Sequence, residues 1–231
     1  RLSLSLPPKR AGKFPPAVQQ QVKIGIMTVS FIIEMLGTLA FAISGIRLAS
    51  AKKFDWFGAY VVGFTTAIGG GTMRDVMLSV TPFWMLDSVY LVVTAIALGI
   101  VIVLGRYLIR LNNTFFVFDA IGLGLFTVVG IEKTLAAGFP LWVAIIMGTM
   151  TGAAGGVLRD ILINEVPLIF RKEIYALACV FGGLVFWVCD RCGIGGAALQ
   201  VVAAAAVIAA RIVAVYFGLK LPTLKGDEER K

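Results

Sequence analysis

Two pairs of adjacent charged residues, Arg74-Asp75 and Arg159-Asp160, lie inside apolar stretches of the sequence, and each follows a run of small residues. A charged side chain inside a bilayer is costly, and such residues usually mark a pathway for an ion or a substrate. A guanidinium at a narrow point would oppose a passing cation and so act as a gate. The same charges would instead be structural if they clamped two parts of the protein together, and the sequence leaves both interpretations open.

The small residues before each pair predict a break in two helices. They are Gly69, Gly70 and Gly71 in the first segment and Ala154, Gly155 and Gly156 in the second. A glycine costs about 1 kcal/mol of helix propensity relative to alanine, so both helices are expected to kink or unwind there. Freed carbonyls and threonine hydroxyls would then supply the oxygens that a partly dehydrated cation needs. These hydroxyls belong to Thr65, Thr66, Thr72 and Thr151. Close helix–helix packing is the alternative explanation of the glycines.

The charged pairs also need partners. Neighbouring residues on a helix do not face each other, which predicts poor contact within each Arg-Asp pair. We therefore expect crossed ion pairs between the two segments, Arg74 with Asp160 and Arg159 with Asp75.

These features occur twice because the sequence is internally duplicated. At a fixed offset of 85 residues, without a gap, 15 of the 57 positions from Glu34 to Tyr90 are identical to their counterparts. Many of the other positions exchange one apolar residue for another, which indicates a true repeat. Glu34 is aligned with Asp119, and these two carboxylates are candidates to attract cations to a pore mouth or to bond to a helix terminus.

Membrane-spanning helices are the elements expected to position these residues. The sequence is 59% apolar, with a mean hydropathy of +0.93, whereas soluble domains are about 45–50% apolar. Seven stretches are long enough to cross a bilayer. We place them at Gly25–Leu48, Asp55–Val80, Asp87–Gly105, Thr114–Ile131, Leu141–Ile163, Ile174–Asp190 and Gly195–Gly218. Basic residues lie between or beyond these stretches, so a nucleic-acid-binding surface is not expected.

Three helices per copy is an odd number, so the second copy must be inverted relative to the first in the membrane. The predicted organisation is a flexible tail (1–23), two three-helix repeats (24–110 and 111–192), a seventh helix (193–219) and a charged tail (220–231). The seventh helix is expected to support packing or an oligomer contact. The first, third and fifth loops carry Lys52, Lys53, Arg106, Arg110, Arg171 and Lys172. The positive-inside bias therefore predicts a cytoplasmic C-terminus and an external N-terminus.

Two three-helix repeats, each with Gly-Gly-x-x-Arg-Asp followed by proline and tyrosine, and a seventh helix closely resemble the prokaryotic trimeric intracellular cation (TRIC) channels. The same module is also known as a glycine-transporter-like domain. The resemblance implies a homotrimer in the lipid of the prokaryotic inner membrane, with a pathway for K⁺ and to some extent Na⁺ in each protomer. It also implies kinks in the second and fifth helices. The pore residues implied by position are Gly69, Gly70, Gly71, Arg74, Asp75, Gly155, Gly156, Arg159 and Asp160.

A monovalent cation channel is the predicted function, and a secondary transporter of glycine or another small solute is the alternative. Half-helix N-termini can hold a carboxylate, which would suit such a transporter. An enzyme is not expected, because the sequence has no histidine and no nucleophile–base set. The three cysteines cannot complete a tetrahedral zinc site, so we expect no cofactor and no metal other than transient K⁺.

Overall fold

A computed structural model describes residues 16–110, 114–170 and 174–219, and the regular secondary structure in this part of the chain is helical. The helices are α1 (Pro16–Ala51), α2 (Trp56–Met77), α3 (Phe83–Leu86), α4 (Val89–Arg110), α5 (Thr114–Ala136), α6 (Leu141–Leu162), α7 (Ala176–Arg191) and α8 (Gly196–Tyr216). A single 3₁₀ turn, Leu168–Phe170, lies between α6 and α7. The predicted charged tail, 220–231, and the loop residues Arg171 and Lys172 lie outside the described residues.

Seven of these helices are long, and each overlaps one of the predicted spans. Four contain a stretch long and apolar enough to cross a membrane. These stretches are Val29–Ala51, Phe115–Ala136, Leu141–Leu162 and Gly196–Tyr216. The apolar part of α4 is shorter, and α7 has only 16 residues. At 1.5 Å per residue, α7 is about 24 Å long, less than a hydrocarbon core of about 30 Å. The chain is an all-helical membrane protein, in which four of the seven predicted crossings meet the length and apolarity criterion by themselves.

The first helix starts earlier than the sequence predicts. α1 begins at Pro16, so residues 16–23 of the predicted flexible tail are helical, while residues 1–15 lie outside the described part. Proline is well suited to the first position of a helix, where its missing N–H would have no partner in any case. Ala17 and the three glutamines that follow Val18 are favourable helix formers.

The two copies of the repeat contact each other reciprocally, as a two-fold axis requires. The first copy comprises α1, α2 and α4, and the second comprises α5, α6 and α7. The rings of Phe41 and Phe126, which are counterparts in the repeat, stack with their centroids 5.4 Å apart. Phe126 also packs on Gly37, and Phe41 packs on its counterpart, Gly122. The axis relating the copies therefore passes between these two phenylalanines.

The predicted break at the glycines is not present, because α2 and α6 both run without interruption through them. The glycines instead allow the two helices to cross in contact. A Cβ atom added to Gly70 would overlap the carbonyl oxygen of Thr151, and one added to Gly155 would overlap that of Thr66. Small residues permit such close approach, and the packing gained offsets the low helix propensity of glycine. The structure supports close packing as the explanation of the glycines.

The last helix, α8, has no counterpart in the repeat and packs against α5 and α7. Gly124 on α5 lies close to the carbonyl oxygen of Ala204 on α8. The buried Gln200 amide donates to both oxygens of Glu132 on α5, at 2.6 and 2.7 Å, and to Ser30 on α1 at 2.8 Å. α8 thus packs within the chain, which is one of the two roles that the sequence predicts, and contributes a polar group that the sequence analysis did not single out.

Candidate functional site

Each Arg-Asp pair lies at the C-terminal end of its helix, and its two side chains form an ion pair with each other. Nε of Arg74 donates to Oδ1 of Asp75 at 2.8 Å, and Arg159 donates in the same way to Asp160 at 2.9 Å. Nη2 of each arginine lies 2.7 and 2.9 Å, respectively, from the same oxygen. The predicted crossed pairs, Arg74 with Asp160 and Arg159 with Asp75, are therefore wrong. The long arginine side chain folds back to its neighbour, which the angle between adjacent residues does not reveal.

The second oxygen of each aspartate holds the chain that follows the helix. Oδ2 of Asp75 accepts a hydrogen bond from the backbone N–H of Phe83 at 2.9 Å, and that of Asp160 accepts one from Leu168 at 3.0 Å. In both copies the residue four positions after the aspartate is in the left-handed region, with φ of 56° and 55°. This conformation commonly ends a helix and turns the chain back. Each aspartate therefore links its arginine to the short helical turn that begins eight residues later.

In the second copy the arginine has further acceptors. We call Arg159, Asp160, Asp119, Ser44 and Tyr175 the Arg159 cluster, and all five are buried. Nη1 of Arg159 donates to Oδ1 of Asp119 at 2.5 Å and to Oγ of Ser44 at 2.9 Å. The Tyr175 hydroxyl donates to the same Asp119 oxygen at 3.4 Å. One guanidinium is thus bound by two carboxylates and a hydroxyl. The hydroxyl belongs to Ser44 of the first copy, whereas the other members of the cluster belong to the second copy.

In the first copy the arginine has fewer partners. We call Arg74, Asp75, Glu34, Lys133 and Phe83 the Arg74 cluster. Oε1 of Glu34 lies 2.7 Å from Nζ of Lys133, which comes from the second copy. The Phe83 ring lies close to both cations, with its centroid 5.7 Å from Cζ of Arg74 and 5.1 Å from Nζ of Lys133. Nη1 of Arg74 is buried without a hydrogen-bond partner among the described residues.

Two differences between the copies account for this asymmetry. The position of Ser44 is occupied in the second copy by Val129, so Arg74 has no equivalent hydroxyl acceptor. The position of Lys133 is occupied in the first copy by Leu48, so Asp119 has no competing lysine and bonds to Arg159. The two clusters therefore share a backbone arrangement but differ in how completely each arginine is neutralised.

Glu34 and Asp119 are not placed as exposed carboxylates at a pore mouth. Their side chains are 8% and 0% exposed, and each is within an ion pair. A buried carboxylate next to a cation neutralises that cation and has little charge left to attract ions from solution. The structure therefore places both residues inside the two clusters.

A cavity of about 360 Å³ reaches the Arg159 cluster from one face of the protein. Arg159 and Asp160 contribute to its lining, together with Leu168. Lys52, which is exposed, and Glu165, which is half-buried, also line it. We call the side on which these two residues lie the Lys52 face. The cavity therefore extends from this face to the buried pair Arg159-Asp160.

The other predicted pathway residues lie where the helices cross. Gly69, Gly70, Gly71, Gly155 and Gly156 are buried, as are Thr66 and Thr151. The hydroxyls of Thr66 and Thr151 donate to carbonyl oxygens one turn earlier in their own helices, both at 2.6 Å. These hydroxyls keep their oxygen lone pairs available as acceptors. The structure thus brings Gly70 and Gly155 together with Thr66 and Thr151 near the axis. Gly71 and Gly156 lie closer to the helix ends, against Phe83 of the Arg74 cluster and Tyr175 of the Arg159 cluster.

Sequence reasoning missed several partners. The contact of Tyr175 with Asp119 is one of them, although the tyrosine is identical in both copies and was therefore a usable signal. Ser44 gave no signal, because its counterpart is not polar. Arg211 on α8 was also missed. It is buried, lies 4.8 Å from the Tyr175 ring centroid, and donates to the carbonyl oxygen of Ile174 at 3.1 Å.

Comparison with known protein families gives two matches within this chain. A family described as glycine transporter matches residues 31–106 and again residues 116–191. The two matches start 85 residues apart, which is the offset of the internal repeat.

Named relatives cover most of the chain. A UPF0126 membrane protein of Vibrio cholerae is 40% identical over 195 residues, which are 84% of this chain and 82% of the relative. The UPF0126 inner membrane protein YadS of Escherichia coli K12 is 39% identical over 201 residues, covering 85% of this chain and 96% of that protein.

Among solved structures, the TRIC trimeric intracellular cation channel orthologue from Rhodobacter sphaeroides has a similar fold, with a TM-score of 0.78 and 33% sequence identity. The match covers 83% of this chain and 100% of that one. A second TRIC cation channel structure matches with a TM-score of 0.75, also at 33% identity, over 85% of this chain and 97% of that one.

Proposed function

This chain belongs to the TRIC-like glycine transporter family of membrane proteins, and from this premise we propose that it is a monovalent cation channel. We propose further that it conducts K⁺, and Na⁺ to a lesser extent, along a pathway inside each protomer of a homotrimer. The proposal draws on the likeness to TRIC cation channels over more than four fifths of the chain.

The observation that carries the proposal is the cavity that reaches the Arg159 cluster. An ion at its inner end would meet carboxylate oxygens beside the Arg159 guanidinium, whose Nη2 lies within ion-pair distance of Asp160 but makes no hydrogen bond among the described residues. Nη1 and Nε of Arg159 already donate to Asp119, Ser44 and Asp160. Asp160 and Glu165 contribute acceptor oxygens to the lining. The rest of the lining consists of Lys52, Arg159 and five apolar residues. Oxygen acceptors replace the hydration shell of a cation and repel an anion, so a cation is favoured next to these two carboxylates.

The rest of the proposed pathway follows the crossing of α2 and α6. Beyond Arg159 and Asp160 lie the glycines, with Thr66 and Thr151 beside them, and then Arg74 and Asp75 of the first copy. Because these helices are unbroken, the pathway requires a small separation of α2 from α6 to admit an ion. Glycine supports such a separation, since no side chain has to move with the backbone.

We propose that the Lys52 face is cytoplasmic, with the N-terminus outside and the chain in the inner membrane. Lys52 and Lys53 lie together in the short connection between α1 and α2, and short basic loops stay in the cytoplasm. The name of the E. coli relative, an inner membrane protein, supports the same membrane.

Single-channel recording tests the proposal directly. Purified protein in a planar bilayer with unequal KCl on the two sides is expected to give unitary currents that reverse near the K⁺ equilibrium potential. Replacing K⁺ by Na⁺ should lower the current, and mass measurement in nanodiscs should give a trimer. Solute uptake without unitary currents would contradict the channel and favour a transporter. A fully active monomer would contradict the trimer.

The Arg74 cluster gives a prediction for conduction. Arg74→Met is expected to raise the unitary K⁺ conductance about two- to threefold. The repulsion between a guanidinium and a cation at short range is about 1 kcal/mol in water, and its removal lowers the barrier to conduction. Arg74 is chosen because two of its guanidinium nitrogens lack a hydrogen-bond partner among the described residues, against one in Arg159, so its charge is less completely neutralised. Arg191→Met is the control, since Arg191 is exposed at the end of α7. An unchanged current in the folded Arg74 variant would remove Arg74 from the pathway.

A further inference from the structure

Lys52 and Glu165 form an ion pair beside the cavity that leads to the Arg159 cluster. Nζ of Lys52 lies 2.6 Å from Oε1 of Glu165, and both residues line the cavity. Their side chains are 43% and 39% exposed, so water reaches the pair. Lys52 follows α1 of the first copy, and Glu165 follows α6 of the second copy. The pair therefore bridges the two copies at the entrance from the Lys52 face.

The backbone holds both residues in position. α6 ends at a left-handed residue, Asn164, and the N–H of Glu165 then donates to the carbonyl oxygen of Asp160 at 2.8 Å. α1 ends in the same way at Lys53, with φ of 62°, and the N–H of Lys52 donates to a carbonyl oxygen in the last turn of α1. Such helix endings fix the direction of the neighbouring residues. The two charges are thus directed towards each other by the ends of two helices.

The opposite face has no equivalent charges at the matched positions. The repeat places Ala137 at the position of Lys52 and Val80 at the position of Glu165. An exact repeat would have the same charges at both entrances. The two copies differ at these positions, so only the entrance at the Lys52 face has this ion pair. Any effect of this pair on ions must therefore be one-sided.

We propose that Glu165 is the first cation-binding group at the Lys52 face and that the Lys52 ammonium is a tethered competitor for it, an inference that rests on the proposed channel function. A solvent-exposed ion pair is weak, so Lys52 leaves Glu165 frequently and a K⁺ ion can take its place. When Lys52 is bound, the carboxylate is neutralised and the entrance attracts fewer cations. The ion pair thereby limits the local concentration of K⁺ above Arg159 and Asp160.

Two consequences follow from the physics of exposed charges. The effect must depend on salt, because the Debye length is about 30 Å at 0.01 M and about 3 Å at 1 M. It must also depend on the direction of the current, because only ions that enter from the Lys52 face meet Glu165 first. A purely structural ion pair would produce neither dependence.

The experiment compares single channels of wild type, Lys52→Gln and Glu165→Gln at low and high KCl. At about 0.01 M KCl, where screening is weak, Lys52→Gln should raise the unitary conductance about twofold for one sign of the voltage only. Glu165→Gln should lower it for the same sign, and the double variant should resemble Glu165→Gln. At about 1 M KCl, where screening is strong, all variants should match wild type. Lys53→Gln is the matched control, since this neighbouring lysine is exposed and does not line the cavity.

The outcomes separate this inference from the proposed function. Wild-type currents with an unchanged Lys52→Gln variant at low salt would overturn the competitor role and leave the channel intact. An equal change for both signs of the voltage would also overturn it, because the site would then not be at one entrance. No wild-type K⁺ current at any concentration would overturn the channel function and this inference with it. Comparable thermal stability of all variants is expected, since an exposed pair contributes little.

Discussion

Replacing Gly70 with alanine is expected to destabilise the protein by about 3 kcal/mol, although it adds only one methyl group. The added Cβ atom would overlap the carbonyl oxygen of Thr151, which belongs to the backbone of α6 and cannot rotate away. The two helices would have to separate along their whole contact, so the cost lies at the upper end of the range for overpacking. Denaturant unfolding in detergent, followed by helical circular dichroism, measures the change.

Gly155→Ala is expected to repeat this result, and Gly99→Ala is the matched control. Gly155 is the counterpart of Gly70, and its added Cβ atom would overlap the Thr66 carbonyl oxygen. Gly99 on α4 has nothing within 4 Å of an added Cβ atom, so alanine there should gain up to about 1 kcal/mol from helix propensity. Equal stability of the Gly70 and Gly99 variants would show that α2 and α6 do not touch at Gly70. Leucine at Gly70 would be a poor test of conduction, because its Cβ atom would already disturb the contact between α2 and α6.

The glycines also show what a sequence can and cannot predict here. Their duplication at a fixed offset can be read from the sequence, and the duplicated glycines lie where α2 and α6 cross. Their effect on the backbone is not visible, because helix propensity is measured without a neighbour and the decisive energy comes from the partner helix. The expectation of broken helices used the local term alone, whereas α2 and α6 remain helical through Gly70 and Gly155 because they pack on each other.

The ion pairs follow a similar logic. The sequence identifies Arg74, Asp75, Arg159 and Asp160 as the charges to explain, but it does not show that each pair ends a helix. At a helix end the chain reverses, and the aspartate gains a backbone donor eight residues later. The proline before that donor, present in both copies, was the available signal.

Contacts between the copies were the least predictable part of the site. An internal alignment compares each residue with its counterpart and so emphasises what the copies share. Ser44 and Lys133 lie at positions where the copies differ, and each contacts a charged side chain of the other copy. Such differences become informative only when the two copies are placed around their axis. They are also the positions that make the two clusters chemically unequal.

The inequality of the two clusters gives the second large prediction. Asp119→Asn is expected to cost about 3–5 kcal/mol, because Arg159 and Asp119 are both fully buried and removal of one partner leaves a charge uncompensated. Glu34→Gln, at the matched position, is expected to cost about 1 kcal/mol, because the side chain of its partner Lys133 is 37% exposed and can turn to water. Denaturant unfolding of the two variants in the same detergent measures both values.

A double-mutant cycle then assigns the energy to the contact. Asp119→Asn and Arg159→Met together should cost less than the sum of the two single changes, with an interaction energy of about 2 kcal/mol. The reference cycle uses Arg74→Met with Asp160→Asn, a pair that the sequence alone favoured and that the structure separates, and its interaction energy should be near zero. Strong coupling in the reference cycle would restore the crossed pairing and contradict the arrangement of both clusters. Additive changes at Asp119 and Arg159 would mean that Ser44 and Asp160 alone satisfy the arginine.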